Sequence, residues 1–210
     1  MEESYLVPAG EGEAAFVEKR SRFIGRIWPC QTQQQAQEKI KLCRSRYWDA
    51  THNVYAYLIR EENVMRYSDD GEPQGTAGMP VLEVLRREGV TNVCCVVTRY
   101  FGGILLGAGG LTRAYAHGAK IALDAAGVAR MDRYAVLLIA CPYTFFDLVQ
   151  TILPRFDAAV EECEYGVDVT MTVSLPDGGE GALNQALRDA TAGQVEGVRI
   201  ESKMMARALK

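Results

Sequence analysis

A polar loop rich in acidic residues is the first segment of the sequence that suggests chemistry. Residues 68–78 contain three glycines and three carboxylates, and the acidic residues are Asp69, Asp70 and Glu72. Such carboxylates can hold a divalent cation or accept hydrogen bonds from the amines and hydroxyls of a ligand. They can also cap the backbone N–H groups of the loop and of the following helix. The spacing favours the capping role and leaves ligand binding open.

A second glycine-rich loop follows an apolar strand and leads into a helix. Its glycines are Gly102, Gly103, Gly107, Gly109 and Gly110. Backbone N–H groups at a helix start, aided by the helix dipole, form an anion site. The flanking Arg99 and Arg113 could each bind a phosphate or carboxylate with two hydrogen bonds, and Tyr100 lies beside them. The alternative is that the glycines let the helix pack tightly on the sheet while the arginines form salt bridges.

This loop matches neither of the common nucleotide-binding motifs. Ala108-Gly109 stands where a P-loop has Lys followed by Ser or Thr, and Thr112 stands where the dinucleotide fingerprint has its last glycine. The loop therefore indicates an anion site without specifying a nucleotide.

Groups suited to catalysis are scarce. His52 precedes a predicted strand and could face the acidic loop as a base or ligand, although a structural hydrogen-bonding role is favoured. His117, the other histidine, falls in the middle of a predicted helix. Neither a nucleophile elbow nor a zinc-protease motif occurs in the sequence. We therefore assign no catalytic residue and expect no cofactor and no bound metal.

A basic turn near the N-terminus is a candidate nucleic-acid contact. Lys19, Arg20 and Arg22 lie beside Phe23, and such interleaving of charge with an aromatic ring suits RNA. A solvated strand edge, where charge deters aggregation, is the commoner meaning of this pattern.

Apolar periodicity predicts the elements that position these residues. The first part contains strands within 14–30, at 53–59, at 64–67 and at 93–98, and helices at 32–47, 80–87 and 111–126. The second part contains strands at 134–141, 158–165, 167–175 and 195–205, with helices starting at Thr144 and at residue 181. The second part has the order βαββαβ of a ferredoxin-like domain. Asp132-Arg133 is the predicted hinge, which gives domains at 1–132 and 133–210.

Composition is that of a globular protein, with 48% hydrophobic and 24% charged residues. The net charge is −4, and it is +1 for residues 1–130 and −5 for residues 131–210. An acidic chain is a poor candidate for indiscriminate nucleic-acid binding, but a local basic patch in the first part remains open. No apolar run approaches the roughly 18 residues that span a bilayer, and no signal peptide is visible. We expect a cytoplasmic protein, without membrane association, whose six cysteines are reduced thiols.

Several motifs resemble those of the YigZ/IMPACT family. They occupy residues 19–24, 50–53, 67–78, 96–107 and 108–114, and the resemblance covers about residues 14–127. Met79 departs from the lysine of several relatives. The resemblance implies an α+β protein. Its N-terminal α/β two-layer domain would resemble domain IV of elongation factor G, and its ferredoxin-like C-terminal domain would resemble domain V of that factor.

The resemblance also implies a function. Eukaryotic relatives regulate translation by binding a ribosome-associated activator of the kinase that senses uncharged tRNA. The leading hypothesis is a non-enzymatic, translation-associated regulatory protein that binds RNA, the ribosome, a translation factor or another protein partner through the glycine-loop face.

Two other hypotheses stay open. One is a magnesium-dependent nucleotide- or phosphate-binding protein or enzyme with a loop like that of the GHMP kinases. In it, Asp69, Asp70 and Glu72 would hold Mg²⁺, Arg99 and Arg113 would clamp phosphate, and His52 would be the base. The other is an interaction module whose acidic second domain docks a basic partner.

Overall fold

The computed structural model describes residues 4–208 and divides the chain into two compact units. The N-terminal unit contains residues 5–130 together with residues 206–208, and the C-terminal unit contains Ser4 and residues 131–205. Each unit has its own hydrophobic core.

The N-terminal unit is built on a five-stranded antiparallel sheet. The strands before residue 101 are β1 (Tyr5–Pro8), β2 (Gly12–Glu18), β3 (Ser21–Pro29), β4 (His52–Ile59), β5 (Val64–Ser68) and β6 (Val93–Tyr100). The order of the strands in this sheet is β2-β3-β6-β4-β5. The helices are α1 (Gln33–Arg46), α2 (Gly78–Arg87) and α3 (Ala108–Ala126). The predicted elements agree with these within about three residues, and the Thr32 hydroxyl caps α1.

Helices cover both faces of this sheet, with α2 and α3 on one face and α1 on the other. Cys95 and Val97 of β6 pack in the cluster that contains α2 and α3, whereas Cys94 and Val96 pack against α1. The reason is the nearly continuous apolar sequence of β6, because a strand buried on both faces needs cover on both. Cys94 and Cys95 point to opposite faces as predicted, and all six cysteines are free thiols.

Glycines let α3 approach the sheet closely. A Cβ atom on Gly25 would lie 2.1 Å from the carbonyl oxygen of Gly118, and one on Gly12 would lie 2.4 Å from that of Ala122. Real Cβ atoms do not come so close to backbone, so these positions require glycine. The close packing of α3 therefore depends on glycines in β2, β3 and the middle of α3, outside the glycine-rich loop.

The C-terminal unit has the predicted βαββαβ order. Its elements are β7 (Val128–Cys141), α4 (Tyr143–Ile152), a 3₁₀ turn (Leu153–Phe156), β8 (Ala159–Tyr165), β9 (Val169–Pro176), α5 (Glu180–Thr191) and β10 (Gly197–Ala208). Strand β9 lies between β7 and β8, and β10 pairs with β7. This split βαβ arrangement confirms the ferredoxin-like fold. No helix within residues 4–208 combines the length and the apolarity needed to cross a membrane.

The predicted hinge, Asp132 and Arg133, lies inside the continuous strand β7, close to the division of the chain between residues 130 and 131. The Arg133 carbonyl accepts a hydrogen bond from the Asp177 N–H. Two local predictions for this half are wrong. Thr144 lies inside α4, which begins one residue earlier because the Phe145 N–H bonds to the Pro142 carbonyl. Val167 is 97% exposed since it falls in the β8–β9 turn.

Candidate functional site

Three side chains form a row across one end of the N-terminal sheet. Arg99 of β6 is the cross-strand neighbour of Phe23 on β3 and of His52 on β4. All three lie on the face covered by α2 and α3, where Phe23 belongs to the core. Arg99 and His52 lie two residues along their strands from the core residues Val97 and Val54. Directly opposite residues in an antiparallel sheet have Cβ atoms about 5 Å apart. The register therefore brings an aromatic ring, a guanidinium and an imidazole together where both glycine-rich loops begin.

Glu72 of the acidic loop reaches into this row and is buried there. Its Oε1 accepts hydrogen bonds from Arg99 Nη1 at 2.6 Å and from the Tyr115 hydroxyl at 2.7 Å, and it lies 3.7 Å from His52 Nε2. The Glu72 and Arg99 side chains are only 4% and 5% exposed. Burial and the hydrogen bond to Glu72 raise the pKa of Tyr115 above its usual value. The contacts of Glu72 all use Oε1, which leaves Oε2 without a partner in the described part of the chain.

Arg99 is held on several sides. Its Cζ lies 5.5 Å from the centre of the Phe23 ring and 5.3 Å from that of Phe101. Its Nη2 donates to the Ser21 hydroxyl at 3.3 Å, and its buried Nε has no partner within residues 4–208. Both terminal nitrogens of Arg99 are therefore engaged inside the unit, and the guanidinium is not free to clamp an external phosphate.

Asp69 fulfils the capping role that the spacing favoured, whereas Asp70 bonds to groups outside the loop. Asp69 accepts hydrogen bonds from the N–H of Gly75 in the loop and from those of Ala77 and Gly78 at the start of α2, at 2.8–3.1 Å. Asp70 accepts from Arg44 Nη2 at 2.6 Å and from the Asn53 N–H at 2.7 Å.

The three acidic residues thus bind three different sets of donors and do not converge. Within residues 4–208, no group of three or more His, Cys, Asp or Glu side chains is placed to hold a metal ion. The geometry does not support the magnesium site of the kinase-like alternative.

His52 has one nitrogen fixed and one directed at the site. Its Nδ1 lies 2.8 Å from the Asp70 carbonyl oxygen and so donates to it. The tautomer is set by that bond, because a carbonyl can only accept. Nε2 remains on the side of Glu72, and the ring lines a cavity.

This cavity, the apolar cavity, has a volume of about 350 Å³. One end carries His52, Glu72 and Arg99. The remaining lining consists of Thr51, Pro73, Phe101, Leu105, Leu106, Gly107, Ala108 and Leu111. Leu105 is 82% exposed and Phe101 is 45% exposed, so large apolar side chains stand open to solvent at its mouth. The cavity therefore combines apolar walls with a charged, hydrogen-bonding end.

A second cavity of about 460 Å³, the basic cavity, lies on the other side of the start of α3. Its polar lining is Lys19, Arg113, His117 and Glu18. The rest consists of Phe16, Val17, Leu106, Gly110 and Ala114. Leu106 borders both cavities. Lys19 and Arg113 are exposed, and neither has an ion pair within the described chain.

The basic turn and the glycine-rich loop, far apart in sequence, touch in the structure. Lys19 and Arg20 form the two-residue β2–β3 turn with φ values of 44° and 65°, a left-handed conformation that is costly for such residues. A Cβ atom on Gly102 would lie 2.1 Å from the Arg20 carbonyl, so only glycine permits this contact. The turn therefore holds two cations against the loop that leads to α3.

Arg22 and Tyr100 are separated from this group. They are cross-strand neighbours on the face covered by α1, opposite to that of Phe23 and Arg99. The Tyr100 hydroxyl donates to Asp49 Oδ1 at 2.8 Å, and partial burial together with this carboxylate raises the pKa of Tyr100.

The loop glycines are required for different structural reasons, either a left-handed backbone conformation or a close contact. Gly103 and Gly107 adopt left-handed φ values of 82° and 74°, and a Cβ on Gly110 would lie 3.0 Å from Leu106 Cβ. Gly109 has an ordinary φ, and the nearest atom to its Cβ position is the Arg113 guanidinium at 3.6 Å. Of the loop glycines, Gly109 is thus the one that the internal structure does not require.

Sequence reasoning missed several residues of the site. The residues that were not predicted as site residues are Tyr115, Ser21, Leu105 and Leu106. A tyrosine at helical spacing, such as Tyr115, is ordinarily a core residue. The run of large apolar residues between Gly103 and Gly107 was the available signal, since such residues are unusual in a glycine-rich loop.

Comparisons with known proteins define the class of this chain. Residues 19–123 match the Impact N-terminal domain, and residues 139–194 match a domain of unknown function, DUF1949. IMPACT family member YvyE of Bacillus subtilis is 36% identical over 192 residues, covering 91% of this chain and 88% of that protein. IMPACT family member YigZ of Escherichia coli is 32% identical over 202 residues, covering 95% and 99%. The chain belongs to the IMPACT family.

Other relatives match about half of this chain. Protein IMPACT of Oryctolagus cuniculus is 32% identical over 109 residues, which cover 48% of this chain and 33% of that protein. A solved structure described as "Crystal structure of an hypothetical protein" is 31% identical, has a TM-score of 0.60 and covers 96% of this chain. The fold of the whole chain therefore has a solved counterpart.

Proposed function

We propose that this protein is a translation-associated regulatory protein that binds RNA through its glycine-loop face. The glycine-loop face consists of the Lys19-Arg20 turn, the loop 101–107 and the first turns of α3. Membership of the IMPACT family suggests a translation-related regulatory role. The observation that carries the proposal is the grouping of unpaired cations around the start of α3.

The cations on this face are available to an external anion. Lys19, Arg20 and Arg113 are exposed, and none has an ion pair within residues 4–208. Some exposed cations elsewhere in the unit do have partners, as Arg44 does with Asp70 and Arg86 with Glu83. Phosphate groups bind such unpaired cations and release counterions, which supplies most of the affinity of sequence-independent nucleic-acid binding.

The start of α3 supports the same ligand class. This helix is 19 residues long, its first turn contains no acidic residue, and its N-cap Gly107 provides no side-chain hydrogen bond. Its first N–H groups and the positive end of its dipole are therefore not neutralised locally. A phosphate bound at this point would accept hydrogen bonds from these N–H groups, and its negative charge would be stabilised by the positive end of the helix dipole.

The charge distribution supports an RNA-binding face in the N-terminal unit and not in the C-terminal unit. Residues 131–210 carry a net charge of −5, which disfavours phosphate contacts there. The protein would act in the cytoplasm and bind RNA or the ribosome through one face.

The test is fluorescence anisotropy with an end-labelled single-stranded RNA at several salt concentrations. We expect binding at low salt that weakens steeply as salt rises. Lys19→Gln and Arg113→Gln should each weaken RNA binding. Each should also reduce the slope of the logarithm of the binding constant against the logarithm of salt concentration by about 1.

Arg87→Gln is the matched control, because Arg87 is exposed, lacks an ion pair among residues 4–208 and lies at the other end of α2 from the site. Its RNA affinity should equal that of the parent protein. No binding of RNA at low salt by the folded protein would overturn the proposal, as would an equal loss in the control.

A further inference from the structure

The apolar cavity suggests which form of RNA the glycine-loop face binds. We infer that this cavity takes one unstacked base of single-stranded RNA while a neighbouring phosphate lies in the basic cavity. This inference rests on the proposed function and adds the strandedness of the RNA and the position of a base.

The walls of the cavity suit a planar, largely apolar group. Phe101 and Leu105 expose large apolar surfaces beside a concave site, an arrangement that points to a ligand or partner. The Phe101 ring is held in place, since Arg99 lies against it and its backbone N–H donates to the Thr51 hydroxyl at 3.0 Å. An anchored, exposed aromatic ring is the common platform on which proteins stack unpaired bases.

The polar end of the cavity suits a neutral ligand with N–H donors. Glu72 Oε2 is an acceptor without a partner in the described residues, on a side chain that is almost wholly buried. The charges of Glu72 and Arg99 cancel, so neither an anion nor a cation is favoured at this end. The amino and imino N–H groups on the edge of a base are neutral donors that a carboxylate can accept.

The second cavity provides a place for the phosphate. Ala108 and Leu111 border the apolar cavity, whereas Gly110 and Arg113 border the basic cavity, so the two are separated by the first turns of α3. Residues 108 and 113 are about 7.5 Å apart along the helix axis at 1.5 Å per residue. Base and phosphate groups of one short stretch of RNA can occupy both cavities together. Paired bases in a duplex remain stacked and cannot enter.

The experiment uses the full chain and a single-stranded oligoribonucleotide with 2-aminopurine at a central position, because the fluorescence of this base responds to stacking. With the parent protein we expect at least a twofold change in fluorescence, and binding of the corresponding duplex at least tenfold weaker. Phe101→Ala and Leu105→Ser should abolish the fluorescence change and weaken binding by about tenfold, the effect of losing one stacked base. Leu105→Ser guards against misfolding, since Leu105 is mostly exposed.

Trp48→Ala is the matched control, because Trp48 is an exposed aromatic residue of the same unit that lines neither cavity. Trp48→Ala should show the same RNA affinity and the same fluorescence change as the parent protein. Binding by anisotropy without a fluorescence change, or equal effects of Phe101→Ala and Trp48→Ala, would overturn the inference and leave the proposed function standing. Displacement of the oligonucleotide by equimolar adenosine monophosphate would assign the cavity to free nucleotides instead. Failure of any RNA to bind would overturn both.

Discussion

Glu72 and Arg99 form a buried ion pair with a distance of 2.6 Å between Oε1 and Nη1. The pair joins the acidic loop to the end of β6, and Arg99 also reaches Ser21 at the start of β3. Removing one member of a buried pair leaves a charge without compensation. The ion pair therefore holds the polar end of the apolar cavity in place. We expect substitutions at either of its members to change the free energy of unfolding.

Substitution of Arg99 should destabilise the fold strongly. Arg99→Met is expected to lower the free energy of unfolding by about 3–5 kcal/mol, because Glu72 stays buried without its partner. Urea unfolding measures this. The double variant Arg99→Met/Glu72→Gln should recover part of the loss. Arg22→Met, an exposed change at the same end of the sheet, should stay within about 0.5 kcal/mol. Equal stability of Arg99→Met and Arg22→Met would contradict the structure.

Asp69 should matter for stability through its backbone contacts. Asp69→Ala removes the acceptor of one N–H group in the loop and two at the start of α2, at an expected cost of about 1–3 kcal/mol in unfolding free energy. Chemical denaturation again provides the measurement. Glu83→Ala on the exposed face of α2 is the comparison, since its surface pair with Arg86 should contribute less than about 1 kcal/mol. A neutral Asp69→Ala would show that the cap is dispensable.

The raised pKa of Tyr115 predicts that the stability of the fold depends on pH in the alkaline range. Its pKa is raised in the folded state above the usual value of 10.0, so its contribution is complete below that pH and is lost as the pH rises above it. At pH 7, Tyr115→Phe should cost about 1–3 kcal/mol because the buried carboxylate loses a donor. The stability difference between parent and variant should narrow above about pH 10. Thermal unfolding of both proteins from pH 7 to 11 tests this prediction. A stability difference between parent and variant that stays constant over this range would refute the prediction.

Two loop glycines should respond oppositely to alanine. Gly102→Ala places a Cβ 2.1 Å from the Arg20 carbonyl and should lower stability by about 1–3 kcal/mol through overpacking. Gly109→Ala meets no atom closer than 3.6 Å and should leave stability unchanged or raise it by up to about 1 kcal/mol, since alanine favours the helix. Melting temperatures of the two variants compare them directly. A similar loss in both would mean that the loop tolerates no side chain.

Local patterns in the sequence were sufficient for the elements and for one part of the site. Apolar runs with a period of two or 3.6 residues depend only on near neighbours, so β6, α1 and the βαββαβ order could be predicted. The capping by Asp69 could be predicted for the same reason, because its partners lie within the loop and at the start of the next helix, whereas the partners of Asp70 are distant in sequence. The sequence did not show that Asp132 and Arg133, the predicted hinge, lie inside the continuous strand β7.

Only the tertiary structure decided which residues meet. Arg99 and Arg113 looked equivalent in the sequence, yet one is buried against Glu72 and Tyr115 while the other stays exposed beside Lys19. Arg20 and Arg22 are two residues apart, but a left-handed turn brings the first to Gly102 and the pleat sends the second to the opposite face. These differences come from cross-strand register and from the packing of α3 on the sheet. Both are contacts between distant parts of the chain, which short-range periodicity does not encode.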